Sequence, residues 1–290
     1  MTPGALPQGM SFERHIAACN NLAPGTPLVP FRIGTAVVGR VLPRLAAALR
    51  GSPGVVASAD GLAAEAEGLE AASEALGRAA KALEGQGLCR LRGEPFDVRA
   101  APGAPVLALL DRGALPAFGI ISEGVHVNGL VRRAEGLHVW VGWRSRDKEV
   151  APGKLDNLIA GGIAAGMDAM ATLLKEAEEE ASVPEALARQ ARPVSEVSYV
   201  MEVPQGLRRD LLHLYDLDLP EGFVPWPNDD EVERFELWPA ARVLERVRDT
   251  EDVKFNVNLV LIDLFLREGL IDPASEEGRR LRSGLRQPLG

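Results

Sequence analysis

Cysteine is almost missing. The 290 residues hold two, Cys19 and Cys89, and neither sits in the spacing of a metal knuckle. That excludes a disulfide scaffold and makes a reducing compartment the expected setting. Histidine is as scarce, and His15, His126, His138 and His213 show no ligand spacing to one another. Long hydrophobic runs are missing too. The strongest, over 158–167 and 257–266, reach about half of the ~18 residues that a spanning helix needs. No membrane partner is expected. There is no excess of positive charge, with 32 Lys and Arg against 41 Asp and Glu, a net charge of −9. An acidic chain is repelled by nucleic acid and anionic lipid at long range, so neither is expected as a partner. The same balance suits a protein that gathers divalent cations. The first residues pair no basic start with an apolar stretch, so no secretory leader is expected, and the cytoplasm is the expected location. What remains is 46% hydrophobic and 25% charged. Those are the proportions of an ordinary globular protein with one large domain or two modest ones.

The pattern predicts a helix opening at Ser11 and ending near Asn20–Asn21, stopped by Pro24, Pro27 and Pro30. A second helix is predicted over Val38–Leu49. Leu62, Leu69, Leu76 and Leu83 recur every seven residues, which predicts one amphipathic helix packed on its own domain rather than a coiled coil. Near residue 96 the texture turns to strands: Pro95–Val98, Val106–Leu110, Phe118–Val127, Leu130–Arg133 and Leu137–Trp143. Asn128–Gly129, between the third and fourth of these, reads as a hairpin turn because both residues tolerate positive φ. An apolar segment follows over Leu158–Ala165, then a helix at Asp168–Ala181 and two strands about Gly206. Helices close the pattern at Ala240–Val247 and Lys254–Gly269. The class is α/β (α+β), with a boundary placed near residue 115. That makes 1–115 a smaller α+β domain of undefined role and 116–290 a second domain.

The helix after Gly161 carries the chemistry. Asp168 is its candidate N-cap, and Leu173, Leu174 and Ala177 are its candidate core face. Glu176, Glu179 and Glu180 stand at i, i+3 and i+4, so one face holds all three within a turn, while Glu178 lies off it. Crowded carboxylates repel unless a cation joins them. Hard oxygen donors in that number suit Mg²⁺ or Mn²⁺. Taken alone, the same residues read as a solvated acidic helix face.

The spacing from Gly161 to the glutamates resembles the Nudix box: Gly, five residues, Glu, seven residues, then Arg-Glu-apolar-any-Glu-Glu-any-Gly-apolar. Gly161, Glu176, Ala177, Glu179, Glu180 and Val183 match. Met167 stands in place of the first Glu, Lys175 in place of Arg, and Ser182 in place of Gly. The stretch Pro152-Gly-Lys-Leu-Asp-Asn-Leu-Ile-Ala-Gly-Gly-Ile-Ala-Ala-Gly166 resembles the branch with an N-terminal extension that acts on thiamine diphosphate and its damaged analogues. So do Arg14-His-Ile-Ala-Ala-Cys-Asn-Asn21, Gly124-Val-His-Val-Asn-Gly129, Asp229-Asp-Glu-Val-Glu233 and Lys254-Phe-Asn-Val-Asn258.

The resemblance implies a Nudix-type α/β/α sandwich with a mixed sheet, preceded by the smaller domain. It implies metal-dependent hydrolysis of a small organic diphosphate, with Mg²⁺ or Mn²⁺ held by Glu176, Glu179, Glu180 and Gly161. Glu179, Glu180 and, outside the box, Glu231 are its implied catalytic groups; an acidic surface turn over Asn228–Glu233 is the plain alternative for Glu231. Lys154, Arg144 and Trp226 are candidate substrate contacts, the cations for phosphate and the indole for a ring; a solvated basic loop and a core plug are the plain alternatives. A nucleoside diphosphate derivative is the rival substrate. A catalytically silent Nudix-fold binding module is the rival class, for which Met167 and Lys175 argue. The sequence leaves the oligomeric state open.

Overall fold

A computed structural model of the chain describes residues 11–290. Residues 1–10, on which the expectation of no leader mostly rests, lie outside the described residues. The elements in chain order are α1 (Glu13–Cys19), β1 (Val29–Ile33), β2 (Ala36–Val41), α2 (Pro43–Arg50), β3 (Val55–Ala57), β4 (Leu62–Ala64), α3 (Leu69–Gly85), β5 (Pro95–Val98) and β6 (Ala108–Asp111). They continue with α4 (Leu115–Phe118), β7 (Ile121–Arg133), β8 (Gly136–Arg144), β9 (Leu155–Asp156), β10 (Ile159–Gly162), α5 (Ala169–Ala181), α6 (Glu185–Ala188), β11 (Arg192–Val203) and β12 (Gly206–Asp218). The last are β13 (Val232–Pro239), α7 (Ala240–Asp249), α8 (Phe255–Arg267) and α9 (Glu276–Gly284). Among the described residues no helix is long and apolar enough to cross a membrane.

The first half builds a four-stranded sheet in the order β2-β1-β4-β3 and a separate β5–β6 hairpin. Leu76 and Leu83 of α3 close one core with Phe31, Leu45 and Leu62. The second half is a mixed sheet, β11-β12-β7-β8-β13, with β10 added on β7 and β9 on β8. β12 and β7 run parallel, and the other pairings are antiparallel. On one face, Val125 and Val127 of β7 pack with Leu173, Ala177 and Ala181 of α5. On the other, Leu130, Leu212 and Leu214 pack with Val257, Leu261 and Phe265 of α8 and with α7. Three layers result, α/β/α, as alternate strand residues dictate.

Helix α1 joins the α8 layer. Phe12 meets Phe265 at a ring-centroid distance of 6.3 Å. Arg14 donates to the backbone carbonyls of Val247, at 3.1 Å, and Thr250, at 2.7 Å. Asn20 Oδ1 accepts from Val200 N at 3.1 Å. The run Arg14–Asn21 is thus a clasp to the second half of the chain.

Local signals misled at three places. Asn128 and Gly129 lie inside the continuous strand β7, and the turn falls after Arg133, where Gly136 takes φ 129°. Asn128 is fully buried and hydrogen-bonded to Asp216 and Asn157. A Cβ on Gly129 would stand 2.5 Å from Leu158 Cδ2, so this glycine admits a neighbouring side chain rather than a bend. Leu62 continues the heptad spacing by coincidence; it is a strand residue of β4, and α3 starts after Gly68 at φ 85°. Residues 38–41 form part of β2, and the helix begins at Pro43, where proline suits the first turn.

Candidate active site

Strand β10 and helix α5 build the site. The Asp168 side chain accepts from Ala171 N at 2.7 Å and so caps α5. The buried stripe of Leu173, Ala177 and Ala181 fixes which face turns outward. Glu176 and Glu180 then lie against β10. Glu180 is only 6% exposed, and its Oε2 accepts from Ala160 N at 2.9 Å. A Cβ on Gly161 would stand 2.5 Å from Glu176 Cγ, so only glycine leaves room for that carboxylate.

The box position expected to be glycine shows its strain. Ser182 ends α5 in the left-handed region, at φ 51° and ψ 35°. Ser182→Gly is expected to raise unfolding free energy by about 1 kcal/mol, the size of the left-handed penalty on a side chain. A urea titration checks it.

The carboxylates feel one another. Burial, and then the charges of Asp156, Glu176 and Glu231, hold Glu180 well above the usual carboxylate range. Burial also raises Glu176, aided by Glu179 and Glu231 and opposed by Lys175. Asp229 is raised by burial and by Glu231 and Glu179. Two lysines already sit on three of the carboxylates around the site. Lys175 Nζ stands 2.5 Å from Glu179 Oε2 and 3.3 Å from Glu176 Oε1, and Lys148 Nζ stands 2.5 Å from Glu231. Among the described residues, no three His, Cys, Asp or Glu side chains are converged on one metal position.

Beside this face, between β7, β10, β12 and the start of α8, lies a cleft of about 140 Å³ bounded by Gly161, His126, Arg144, Arg208, Lys254 and Asn256. Arg144 lines it, but its guanidinium is committed. Nη1 is 2.6 Å from Asp156, while Nε and Nη2 donate to Val150 O at 3.2 and 3.1 Å. Lys154 is half-buried and gives its carbonyl to Arg144 N. Trp226 is 72% exposed, tied through its backbone to Ala181 at the end of α5. Neither lines the cleft. Met167 faces a second cavity of about 730 Å³, with Phe96, Asp97, Arg99 and His213, which none of the box glutamates lines.

The role of Asp156 was not legible beyond its place in the stretch Pro152–Gly166. The residue is buried, and Lys254 Nζ reaches it at 3.0 Å beside Arg144. Lys254 is 98 residues away in sequence and Arg144 is 12, and no spacing marks them. Lys254 and Asn256 carried one signal, their place in the stretch Lys254–Asn258.

Residues 11–122 match the family model described as a domain of unknown function, DUF4743. The chain is 44% identical over 185 residues to Nudix hydrolase 20, chloroplastic, of Arabidopsis thaliana, an overlap of 64% of this chain and 50% of that protein. It is 42% identical over 198 residues to Nudix hydrolase 24, chloroplastic, of the same plant, an overlap of 67% of this chain and 54% of that protein. The chain thus spans about half the length of the curated relatives that it matches. Among solved structures, the crystal structure of DR0079 from Deinococcus radiodurans aligns with a TM-score of 0.44 at 20% identity, covering 67% of this chain and all of that one.

Proposed function

Because the chain belongs to the Nudix superfamily, we propose that its α5 face hydrolyses an organic diphosphate with the help of a divalent metal ion. Thiamine diphosphate or a damaged analogue is the favoured substrate, released as the monophosphate and phosphate. A nucleoside diphosphate derivative is the alternative. The observation that carries the reading is Glu180: a buried carboxylate, fixed by Ala160 N and crowded by Glu176 and Glu231. A buried cluster of like charge is costly unless a cation completes it.

By chemistry the donors suit a hard divalent ion, being carboxylate oxygens and, as the box resemblance implies, the carbonyl of Gly161, though the side chains would have to draw together around it. Glu176, Glu179 and Glu180 would hold Mg²⁺ or Mn²⁺, with Lys175 yielding Glu179. Such an ion neutralises diphosphate charge and lowers the pKa of a bound water. The chain's own groups do the remainder. Glu180 and Glu176 are positioned on a rigid helix against a rigid strand. Glu231 sits close enough to raise both of their pKa values and, with Lys148 yielding it, would take the proton from the attacking water. The new P–O bond forms from that water as the bond to the leaving phosphate breaks.

Lys175 seated on Glu179 favours a second reading, a silent binding module. Phosphate release over a panel of thiamine diphosphate, its oxidised analogues and ADP-ribose separates the readings. Turnover with Mg²⁺ that stops in excess chelator is expected. Turnover unaffected by chelator sinks the metal role, and no release from any diphosphate favours the silent module.

A further inference from the structure

The cleft beside the box holds polar groups that hydrolysis does not use. His126 is 4% exposed and lines it. A chain of hydrogen bonds runs behind His126 and ends on a carboxylate, which orders every donor along it. Asp216 Oδ1 can only accept, so Asn128 Nδ2 donates to it at 2.9 Å. Asn128 Oδ1 accepts from Asn157 Nδ2 at 2.9 Å. Asn157 Oδ1 is then left to accept from His126 Nδ1 at 2.8 Å. Arg267 grips Asp216 with both Nη atoms, at 2.5 and 3.1 Å, and keeps the anchor charged. His126 therefore carries its proton on Nδ1, and Nε2 is left with a lone pair for a ligand. Burial, reinforced by the Lys254 charge, pushes the imidazole down to about 4, so the ring is neutral near pH 7.

A second group points the same way. Asn256, on the first turn of α8, lines the cleft at 8% exposure, and its Oδ1 has no hydrogen-bond partner. A buried acceptor left unpaired is costly, and a ligand donor would relieve it. The cations of the lining are already engaged. Lys254 and Arg144 are on Asp156, Arg112 is on Glu94, and Arg208 is on Asp210. This is not an anion hole; the atoms it leaves unpaired toward a ligand include two acceptors, Asn256 Oδ1 and His126 Nε2. At about 140 Å³ it is smaller than the ~300–1,000 Å³ of pockets that take a whole ligand. One ring suits it better than a complete nucleoside.

We propose that this cleft is a recognition subsite for the amino-bearing edge of a heteroaromatic ring, whose N–H groups are accepted by Asn256 Oδ1 and His126 Nε2. The proposal rests on the diphosphate reading, since the ring is the organic end of that substrate, with Gly161 at the rim leading to the box.

The test uses rings without a diphosphate, in chelator, so that hydrolysis plays no part. Binding is measured by calorimetry for two matched pairs, thiamine with oxythiamine and adenosine with inosine. The amino member of at least one pair is expected to bind at least tenfold tighter. Asn256→Leu is expected to erase that preference with no fall in Tm, because it removes no hydrogen bond. Should the variant not fold, nitrogen NMR of wild-type His126 replaces it. Nε2 should resonate as an unprotonated nitrogen and shift on addition of the amino ring. Equal binding within both pairs, no binding by either, a preference that survives Asn256→Leu, or an unmoved Nε2 each overturns the subsite. Amino-selective binding by a protein that hydrolyses no diphosphate keeps the subsite and sinks the hydrolase; turnover with no amino preference does the reverse.

Discussion

Glu180→Gln lowers kcat by ~10²-fold or more, the scale for losing a group that organises transition-state charge, and in chelator it raises the melting temperature. The two effects share one cause. Glu180 is buried beside other carboxylates, so its folded-state pKa stands well above its unfolded value. A carboxyl with a raised folded pKa binds its proton better when folded. Its contribution is therefore most favourable in acid and is lost as pH rises through the unfolded pKa toward the folded one. Glutamine keeps an oxygen to accept from Ala160 N and removes the charge. The Tm gap between variant and wild type should open as pH rises from about 4. Mg²⁺ should narrow the gap by stabilising the wild type. Glu178→Gln, off the site face and exposed, is the control and should leave kcat and Tm near wild type. A Glu180→Gln protein with wild-type kcat removes this residue from the reaction.

Asp156→Ala costs about 3–5 kcal/mol of unfolding free energy, the loss expected when one partner of a buried ion group is removed. Asp156 neutralises Arg144 at 2.6 Å and Lys254 at 3.0 Å, and both cations are themselves largely buried. Burial alone would raise the Asp156 carboxyl, but Lys254 and Arg144 outweigh it and bring the group down to about 2. With a folded pKa below the unfolded value, its stabilisation is present above about pH 4 and disappears as pH falls through 2. That shift corresponds to about 2 kcal/mol. Acid unfolding of the wild type should steepen in that window, and the variant should lack the step. Denaturant titrations at pH 7 and pH 3 read both outcomes. Asp60→Ala, which breaks an exposed pair with Arg32, should be near neutral. If Asp156→Ala matches it, the buried triad is not a stabilising element.

The box helix was legible because its period is local. Apolar residues recur along α5 at helical spacing, and the capping Asp168 and the three glutamates follow from position alone. The β11–β12 hairpin about Gly206 was legible for the same reason. Asn128–Gly129 was misread because the same dipeptide serves a tight turn and a crowded buried strand; the difference lies in Leu158 and Asp216, 29 and 87 residues beyond Gly129, whose arrival no local pattern announces. The cleft was hidden in the same way. Arg144 was visible as a cation near the box, but the partner that immobilises it, Asp156, became visible only when β8 and β9 paired. His126 showed no ligand spacing, and its tautomer depends on four side chains, drawn from β7, β12, the link between β9 and β10, and α8.

The clasp made by α1 sets an order of assembly. Phe12, Arg14 and Asn20 emerge at least 180 residues before their partners Phe265, Val247, Thr250 and Val200. At ~5–20 residues per second the ribosome needs on the order of tens of seconds to deliver those partners. Through that interval the four-stranded sheet and α3 can close on themselves, because their contacts fall within the first half. Helix α1, at seven residues, is too short to hold its shape alone. Among the described helices α1 comes first in chain order, yet its contacts wait for β11, α7 and α8 to be made.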